Sequence, residues 1–203
     1  MKSVKIEVIL FDLGGVLVEL TGVPILTSWT GGQMGPEEIW QYWLTSPTVR
    51  AFETGTIAPE KFADALIAEL DLPVDRATFL EAFTYWPRGL FPGALKLINE
   101  IPRPIIRAIL SNTNSLHWPR AMTEMGLSAP FDFHFASHLT GKIKPDKDAF
   151  EDVALTIGSR PEAILFFDDN QLNVDAALSL GINAFRVQGV AEVRVVMEKL
   201  KMV

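Results

Sequence analysis

The stretch Val8–Leu17, with the sequence VILFDLGGVL, decides how the rest of the chain is organised. Its first residues are apolar and favour β-structure, which predicts a short buried strand. Asp12 is then expected at the carboxyl end of that strand. In open α/β sheets, ligands bind at the edge that these strand ends form. Gly14 and Gly15 allow a sharp turn and a close approach of the backbone to a bound group. Taken alone, the same residues are also typical of a simple strand-ending turn, in which Asp12 bonds its own backbone.

The composition is that of a globular protein with an acidic balance. The 203 residues correspond to one or two domains, and 48% of them are hydrophobic, enough for a sizeable core. The formal net charge of -7 argues against general nucleic-acid binding, which needs a cationic face. No cysteine is present, so disulfides, thiolate metal sites and a cysteine nucleophile are excluded. No apolar run approaches the ~20 residues of a membrane span, and no signal-peptide pattern is present, so we expect a cytoplasmic protein with no membrane partner.

Helical patterns follow soon after the first strand. Three segments space their apolar residues as helices do: Pro36–Leu44, Pro59–Leu70 and Val74–Trp86. The passage before them, Thr21–Gly35, is polar and Gly-rich and carries no helical pattern. We therefore expect an inserted α-helical cap over residues 18–89, with residues 1–17 and 90–203 forming the core.

Beyond residue 90, predicted strands alternate with predicted helices. The strands are expected at Ile105–Leu110, Phe131–Ala136, Ala163–Phe167 and Asn183–Val187. The helices are expected at Ala94–Asn99, Asp148–Ile157, Val174–Leu180 and Val190–Lys201. This alternation predicts an α/β fold with a Rossmann-like, three-layer α/β/α core and a mainly parallel sheet.

Polar side chains follow three of these strands, at Asp12, Ser111–Asn112 and Asp168–Asp169. The carboxyl ends of neighbouring parallel strands share one edge of a sheet, so these side chains can converge. Clustered carboxylates repel each other unless a cation is present, and the hard oxygens of Asp12 and Asp169 suit Mg²⁺, which bridges to phosphate. The Ser111 hydroxyl and the Lys144 ammonium are suited to hold phosphate oxygens. A carboxylate can then attack phosphorus and form an aspartyl-phosphate.

At these residues the chain resembles the haloacid dehalogenase-like superfamily, in the form that carries a helical cap. Four motifs in order, and one cap segment, carry the resemblance: Phe11–Val16, Ile109–Asn112, Lys144–Pro145, Phe166–Asn173 and Arg50–Gly55. The resemblance spans nearly the whole chain. Among the subgroups, Leu110–Asn114 with Leu116–His117 and Asp168–Asn170 is most similar to the small bacterial phosphatases that act on α-D-glucose 1-phosphate.

The resemblance implies a Mg²⁺-dependent phosphatase that hydrolyses small phosphorylated metabolites, sugar phosphates among them, through an aspartyl-phosphate intermediate. Asp12 would be the nucleophile. The implied metal site consists of Asp12, the Gly14 carbonyl and Asp169, with Asp168 and Asn173 in or near the outer shell. The implied phosphate site consists of Leu13, Gly14, Ser111, Asn112 and Lys144, and Lys144 would also act in catalysis.

Gly14 departs from the family pattern, because phosphatases of this family usually carry a second Asp there as general acid and base. Losing such a group costs about 10²–10⁴ in rate, although a backbone carbonyl at this position can still bind metal. Water, or a group such as His117, is our hypothesis for the proton donor. Two alternatives are open. A haloacid dehalogenase needs no metal and usually has an aromatic residue at this position, so Gly14 and the Asp168–Asp169 pair argue against it. A phosphate-binding or regulatory module would have lost turnover together with the second Asp.

Each candidate side chain also has an ordinary structural explanation. Ser111 is typical of a strand-to-loop cap, and Lys144 of a solvated loop lysine like its neighbour Lys142. Asn173 is equally suited to cap the helix that follows it. His117, next to a tryptophan, is typical of a packed or surface histidine.

Specificity is expected to come from the cap, because a lid decides what fits over the nucleophile. Its hinges are predicted near Leu17–Leu20 and Leu90–Pro92. Three tryptophans are expected in the cap core, with stacking on a sugar as the alternative: Trp40, Trp43 and Trp86. Three charged residues are candidates for substrate contact, or else solvated charges: Arg50, Glu53 and Arg88.

Overall fold

The computed structural model describes residues 5–202, which form one five-stranded and one two-stranded sheet together with helices. The strands are β1 (Val8–Phe11), β2 (Val18–Leu20), β3 (Pro87–Leu90), β4 (Ile106–Ser111), β5 (Phe133–Ala136), β6 (Ile164–Asp168) and β7 (Asn183–Arg186). The helices are α1 (Gly22–Trp29), α2 (Pro36–Thr45), α3 (Pro47–Glu53), α4 (Pro59–Glu69), α5 (Arg76–Thr84), α6 (Ala94–Glu100), α7 (His117–Pro119), α8 (Ser137–Thr140), α9 (Lys147–Ile157), α10 (Gln171–Ser179) and α11 (Gly189–Lys199). Among the described residues, no helix is long and apolar enough to cross a bilayer.

Strand β1 lies at the centre of the larger sheet, whose strand order is β5-β4-β1-β6-β7. All neighbouring strands in this sheet run parallel. Phe11, the last residue of β1, aligns with Ile109 of β4 and with Phe167 of β6. The residues that come next in these three strands therefore reach the same edge of the sheet. The prediction of a mainly parallel α/β sheet is confirmed.

Helices cover both faces of this sheet and produce the expected three layers. Because side chains alternate along a strand, Ile9 and Phe11 face one side, and Val8 and Leu10 face the other. The first pair belongs to an apolar cluster that includes residues of α6 and α11. The second pair belongs to a cluster that includes residues of α9 and α10. All four residues are 0% exposed, so β1 is buried on both faces, as its unbroken apolar run predicts.

Helices α1 to α5 lie between β2 and β3 and have an apolar cluster of their own. At its centre the rings of Phe52 and Phe62 stack with their centroids 4.2 Å apart. Helices α2, α4 and α5 match the three helices predicted from periodicity. Trp43 and Trp86 pack with this cluster as expected, whereas Trp40 does not belong to it. The division into a cap of residues 18–89 and a core of the remaining residues stays a prediction.

Four elements of this region are absent from the expectations: α1, α3, β2 and β3. Helix α1 forms inside the passage Thr21–Gly35, whose pattern indicates no helix. Leu26 is buried in the helical cluster, and Pro24 lies in the first turn of α1 where proline is tolerated, so packing stabilises a helix that propensity does not reveal. Strand β3 was also missing from the prediction, because its proline and glycine are depleted in strands. It pairs antiparallel with β2.

Candidate active site

The ends of β1, β4 and β6 bring the predicted polar residues to one edge of the sheet. Asp12 follows β1, Ser111 ends β4 and Asp168 ends β6. One oxygen from each of Asp12, Asp168 and Asp169 lies within 4.8 Å of the others. The sequence-predicted carboxylates are therefore close enough to share a single cation.

Lys144 lies among these carboxylates. Its Nζ is 2.9 Å from Asp12 Oδ1 and 2.6 Å from Asp168 Oδ2, and its side chain is only 1% exposed. Burial lowers the pKa of the ammonium, but the two carboxylates outweigh burial and raise it above the ordinary value. The alternative of a solvated loop lysine is therefore wrong for Lys144. It does describe Lys142, whose partly exposed ammonium pairs with Asp152.

Asn112 holds the Lys144 backbone in place. The Asn112 Nδ2 donates to the Lys144 carbonyl at 2.8 Å, and the Asn112 Oδ1 accepts from the Lys144 N–H at 2.9 Å. This side chain is therefore engaged within the protein. A contact between Asn112 and phosphate, as the sequence predicts, would have to use its backbone N–H.

Asp168 is fully buried and its oxygens have several donors. Besides Lys144, it accepts from the Asn170 backbone N–H at 2.8 Å and from the Asn173 Nδ2 at 3.0 and 3.1 Å. The helix-cap alternative for Asn173 is wrong, because Asn170 caps α10 by accepting from the Leu172 N–H. The Asn173 Oδ1, by contrast, is buried without a hydrogen-bond partner.

The charges at this edge do not balance within the protein. Burial raises the pKa of Asp12 to about 6, with Lys144 opposing the shift and Asp168 adding to it. Burial, together with the charges of Asp12 and Asp168, raises the pKa of Asp169 to about 7. Three carboxylates around one ammonium leave an excess of two negative charges. Such a site favours a proton or a divalent cation.

The turn after Asp12 is shaped by glycine. Gly15 has φ +71°, and a Cβ there would lie 2.1 Å from Asp169 Oδ2. Only glycine therefore lets the Asp169 carboxylate approach this turn so closely. At Gly14 a Cβ would lie 2.7 Å from the Leu20 Cδ1. The space that a larger residue would need at position 14 is thus taken by a leucine side chain.

A cavity of about 600 Å³ opens above Asp12. Its floor includes predicted site residues from the sheet edge: Asp12, Leu13, Gly14, Ser111, Asn112, Lys144 and Asp169. Its walls come largely from β2 and helices α1 to α3, and all three predicted tryptophans, Trp40, Trp43 and Trp86, line it. Arg50 and Glu53 also line the cavity, whereas Arg88 is exposed and is not among the lining residues.

Two titratable residues beside the cavity have shifted pKa values. Burial raises the pKa of Glu53 to about 7, although the Trp43 Nε1 donates to its Oε1 at 3.3 Å. Burial lowers the pKa of His117 to about 4. The His117 Nε2 lies 2.7 Å from the Phe83 carbonyl and its Nδ1 lies 3.1 Å from the Asn114 Nδ2. Both ring nitrogens are occupied, which argues against the hypothesis that His117 supplies the proton.

Comparison with known proteins identifies a common family. A model of haloacid dehalogenase-like hydrolases matches residues 6–181. A phosphatase of Mycobacterium tuberculosis (strain CDC 1551 / Oshkosh) is 26% identical over 209 aligned positions, covering 94% of this chain and 91% of that protein. A sesquiterpene phosphatase of Aspergillus oryzae (strain ATCC 42149 / RIB 40) is 31% identical over 180 positions, covering 85% of each.

The fold is likewise shared with a solved structure. A family enzyme from Bacteroides thetaiotaomicron, crystallised with magnesium and inorganic phosphate, superposes with a TM-score of 0.74 at 23% identity. The superposition covers 90% of this chain and 94% of that enzyme. The architecture of sheet and inserted helices is therefore not peculiar to this sequence.

Proposed function

Because the chain belongs to the haloacid dehalogenase-like hydrolases, we propose that it is a Mg²⁺-dependent phosphatase acting on small phosphorylated metabolites. The observation that carries this proposal is the placement of Asp12 beside Lys144 and the Asp168–Asp169 pair, at the floor of a cavity. Two relatives named as phosphatases support the same reaction. Sugar phosphates remain one substrate class within this proposal, and a cytoplasmic location stays a prediction.

The residues present fit a magnesium ion. Asp12, Asp169 and the Gly14 carbonyl would hold it, and Asp168 would support the site by fixing Lys144 and Asn173. The doubly positive charge of Mg²⁺ would neutralise the excess of two negative charges. In addition, the buried Asn173 Oδ1 has no hydrogen-bond partner within the protein. When bound, Mg²⁺ offsets the negative charge of the phosphoryl oxygens and brings them against the nucleophile.

Asp12 would attack the phosphorus atom through a carboxylate oxygen. The bond from phosphorus to the alcohol oxygen breaks and an aspartyl-phosphate forms. The leaving oxygen would take a proton from a water molecule and depart as the alcohol, and the later hydrolysis step returns a proton to the solvent. Water then attacks that phosphorus, releasing inorganic phosphate and restoring Asp12. Lys144, 2.9 Å from Asp12, keeps the carboxylate ionised and reduces its repulsion of the incoming dianion.

The remaining floor of the cavity would bind the phosphoryl oxygens. Ser111 offers a buried hydroxyl at the end of β4. The backbone N–H groups of Leu13, Gly14 and Asn112, all cavity-lining residues, would be further donors at the same edge. Because phosphoryl transfer depends mostly on positioning and charge, turnover does not require an acid at Gly14.

The test is release of phosphate from p-nitrophenyl phosphate with Mg²⁺ and with EDTA, for the wild type and for Asp12→Asn. We expect activity only in the wild type with Mg²⁺. Asp64→Asn, which removes an exposed partner of Arg76, is the control and should keep full activity.

Other outcomes point to the alternative functions. Chloride release from 2-chloropropionate without metal would indicate a dehalogenase. Phosphate binding without turnover of any ester would indicate a regulatory module. Full activity of Asp12→Asn would show that Asp12 is not the nucleophile.

A further inference from the structure

The cavity above Asp12 has a wall that is mainly apolar. Apolar side chains from β2 and the inserted helices line it, among them Val18, Leu26, Ile39, Trp43, Val49 and Trp86. Polar side chains from the sheet edge are concentrated on the floor, around Asp12 and Lys144. A bound molecule therefore meets charge at one end and hydrocarbon at the other.

Several polar groups on the wall already have partners inside the protein. The Thr45 hydroxyl donates to the Gln41 carbonyl at 2.8 Å, and the Ser46 hydroxyl accepts from the Val49 N–H at 3.3 Å. Glu53 accepts from the Trp43 indole. Among the wall residues, the Trp86 Nε1 is a buried donor without a partner. One indole cannot satisfy the several hydroxyls of a sugar, and each buried hydroxyl without a partner is strongly unfavourable.

The apolar surface continues to the nucleophile itself. At Gly14, where related phosphatases place an acid, the space beside the backbone is taken by the Leu20 side chain. Leu20 is 51% exposed, and two further cavity residues, Leu44 and Leu172, are 42% and 55% exposed. These leucines present uncovered hydrocarbon at the cavity, and such patches are typical of binding surfaces.

Building on the proposed phosphatase function, we infer that the substrate is a phosphate monoester of a bulky apolar alcohol rather than of a sugar. The phosphate lies at the sheet edge, and the hydrocarbon lies against β2, helices α1 to α3 and Leu172 of α10. A water molecule in the liquid occupies roughly 30 Å³. If each heavy atom of a substrate takes a similar volume, the cavity of about 600 Å³ holds roughly 20 heavy atoms. That is enough for a phosphate and an organic group of about 15 heavy atoms. Hydrolysis then yields the free alcohol and inorganic phosphate.

The test compares kcat/KM for n-alkyl phosphates from methyl to octyl, kept below their micelle concentrations, with glucose 1-phosphate and glucose 6-phosphate. Burial of each methylene predicts a rise of about two- to fourfold in kcat/KM. Over the seven methylenes from methyl to octyl, kcat/KM should therefore rise at least about 100-fold. Octyl phosphate should also exceed both hexose phosphates, whose hydroxyls would be buried against hydrocarbon. Equal or higher kcat/KM for a hexose phosphate would overturn the inference.

Variants at exposed wall positions make the test specific. Leu44→Gln and Leu172→Gln replace leucines that are not needed for a buried core, and each should flatten the dependence of kcat/KM on chain length. Leu155→Gln is the matched control, because Leu155 is 82% exposed on α9 and does not line the cavity. An unchanged chain-length dependence in both wall variants would contradict the inference.

Failure of the inference is distinguishable from failure of the proposed function. If p-nitrophenyl phosphate and hexose phosphates are hydrolysed while alkyl phosphates are not, only the substrate class is wrong. If no phosphate ester is hydrolysed with Mg²⁺, the phosphatase proposal and the inference that rests on it both fail.

Discussion

Lys144 is the residue on which the charge balance of the site depends. Its ammonium contacts Asp12 and Asp168, while Asp169 adds a third carboxylate within reach of the same cation. Breaking a buried ion pair leaves an uncompensated charge in a poorly solvated place, which costs far more than loss of a surface pair. Lys142 offers the contrast, because its pair with Asp152 is partly exposed.

We expect Lys144→Met to abolish phosphate release and to lower the free energy of unfolding at pH 8 by about 3–5 kcal/mol. Saturating Mg²⁺ should recover part of that loss, since it supplies positive charge to the same carboxylates. Urea unfolding with and without Mg²⁺ measures both effects. Lys142→Met is the control and should change the stability by less than about 1 kcal/mol. Equal destabilisation in the two variants would contradict this account.

Gly15 is the second residue on which the site depends, because no amino acid other than glycine lacks a Cβ. Any Cβ at this position would overlap the Asp169 carboxylate, and its φ of +71° is unfavourable for other residues. Gly31 shares the conformation, with φ +61°, but a Cβ there would meet nothing within 4 Å. An alanine at Gly31 would therefore introduce backbone strain alone, whereas an alanine at Gly15 would introduce the same strain and also displace Asp169.

We expect Gly15→Ala to raise the Mg²⁺ concentration needed for half-maximal activity by about tenfold or more, equivalent to about 1.4 kcal/mol of binding free energy. Gly31→Ala should lower stability by about 1–2 kcal/mol through strain alone and leave the Mg²⁺ requirement unchanged. Activity titrations with Mg²⁺ and thermal unfolding of both variants provide the measurements. A normal Mg²⁺ requirement in Gly15→Ala would show that Asp169 does not need its observed position.

Among the elements, β1, β4 and β6 were predictable because each is a largely apolar run that ends in polar residues. Their shared edge then follows from the rule for parallel sheets. The partners of each side chain were not predictable, since the contact between Asn112 and Lys144 depends on how distant segments fold back together. Lys142 and Lys144 look alike in the sequence, and burial alone separates them. Helix α1 was missed because tertiary packing stabilises it.

Helix α7 connects the end of β4 to α5 through His117. The ring stacks on Phe83 with centroids 4.3 Å apart, and its Nε2 donates to the Phe83 carbonyl. A carbonyl only accepts, so Nε2 carries the proton and Nδ1 accepts from the Asn114 amide. This pattern requires a neutral imidazole.

Protonation of His117 should lower the free energy of unfolding at acidic pH. Its folded pKa, about 4, is below the ordinary value of 6.5 because burial disfavours the cation. Between these values the unfolded chain binds more protons, so stability falls as pH decreases from 6.5 to 4, by up to about 3 kcal/mol. His117→Gln keeps an N–H donor and does not titrate, so its unfolding free energy should lose less over this pH range. Equal pH dependence in urea unfolding of both proteins would rule this effect out.

For the whole molecule, metal binding and phosphate binding should be coupled. A phosphate dianion that enters the cavity meets an excess of carboxylate charge on the floor, on a chain whose formal net charge is -7. Mg²⁺ removes that repulsion, so each ligand strengthens the binding of the other.

We expect inorganic phosphate to raise the melting temperature only when Mg²⁺ is present. At 100 times its dissociation constant, phosphate should add about 2.7 kcal/mol to the unfolding free energy. Thermal unfolding with Mg²⁺, with phosphate and with both gives the comparison, and Asp169→Asn should weaken the joint effect. Full stabilisation by phosphate in EDTA would contradict the coupling.

Val18 pairs with Leu90 at the base of the inserted helices, so the chain departs from the sheet and returns to it at neighbouring points. The segment between those two residues is therefore a single insertion relative to the sheet edge that carries the aspartates. Evolution can therefore exchange that contiguous segment, or alter its length, without moving the aspartates. New substrates then become accessible through changes in one stretch of the gene, while the hydrolytic chemistry is inherited unaltered.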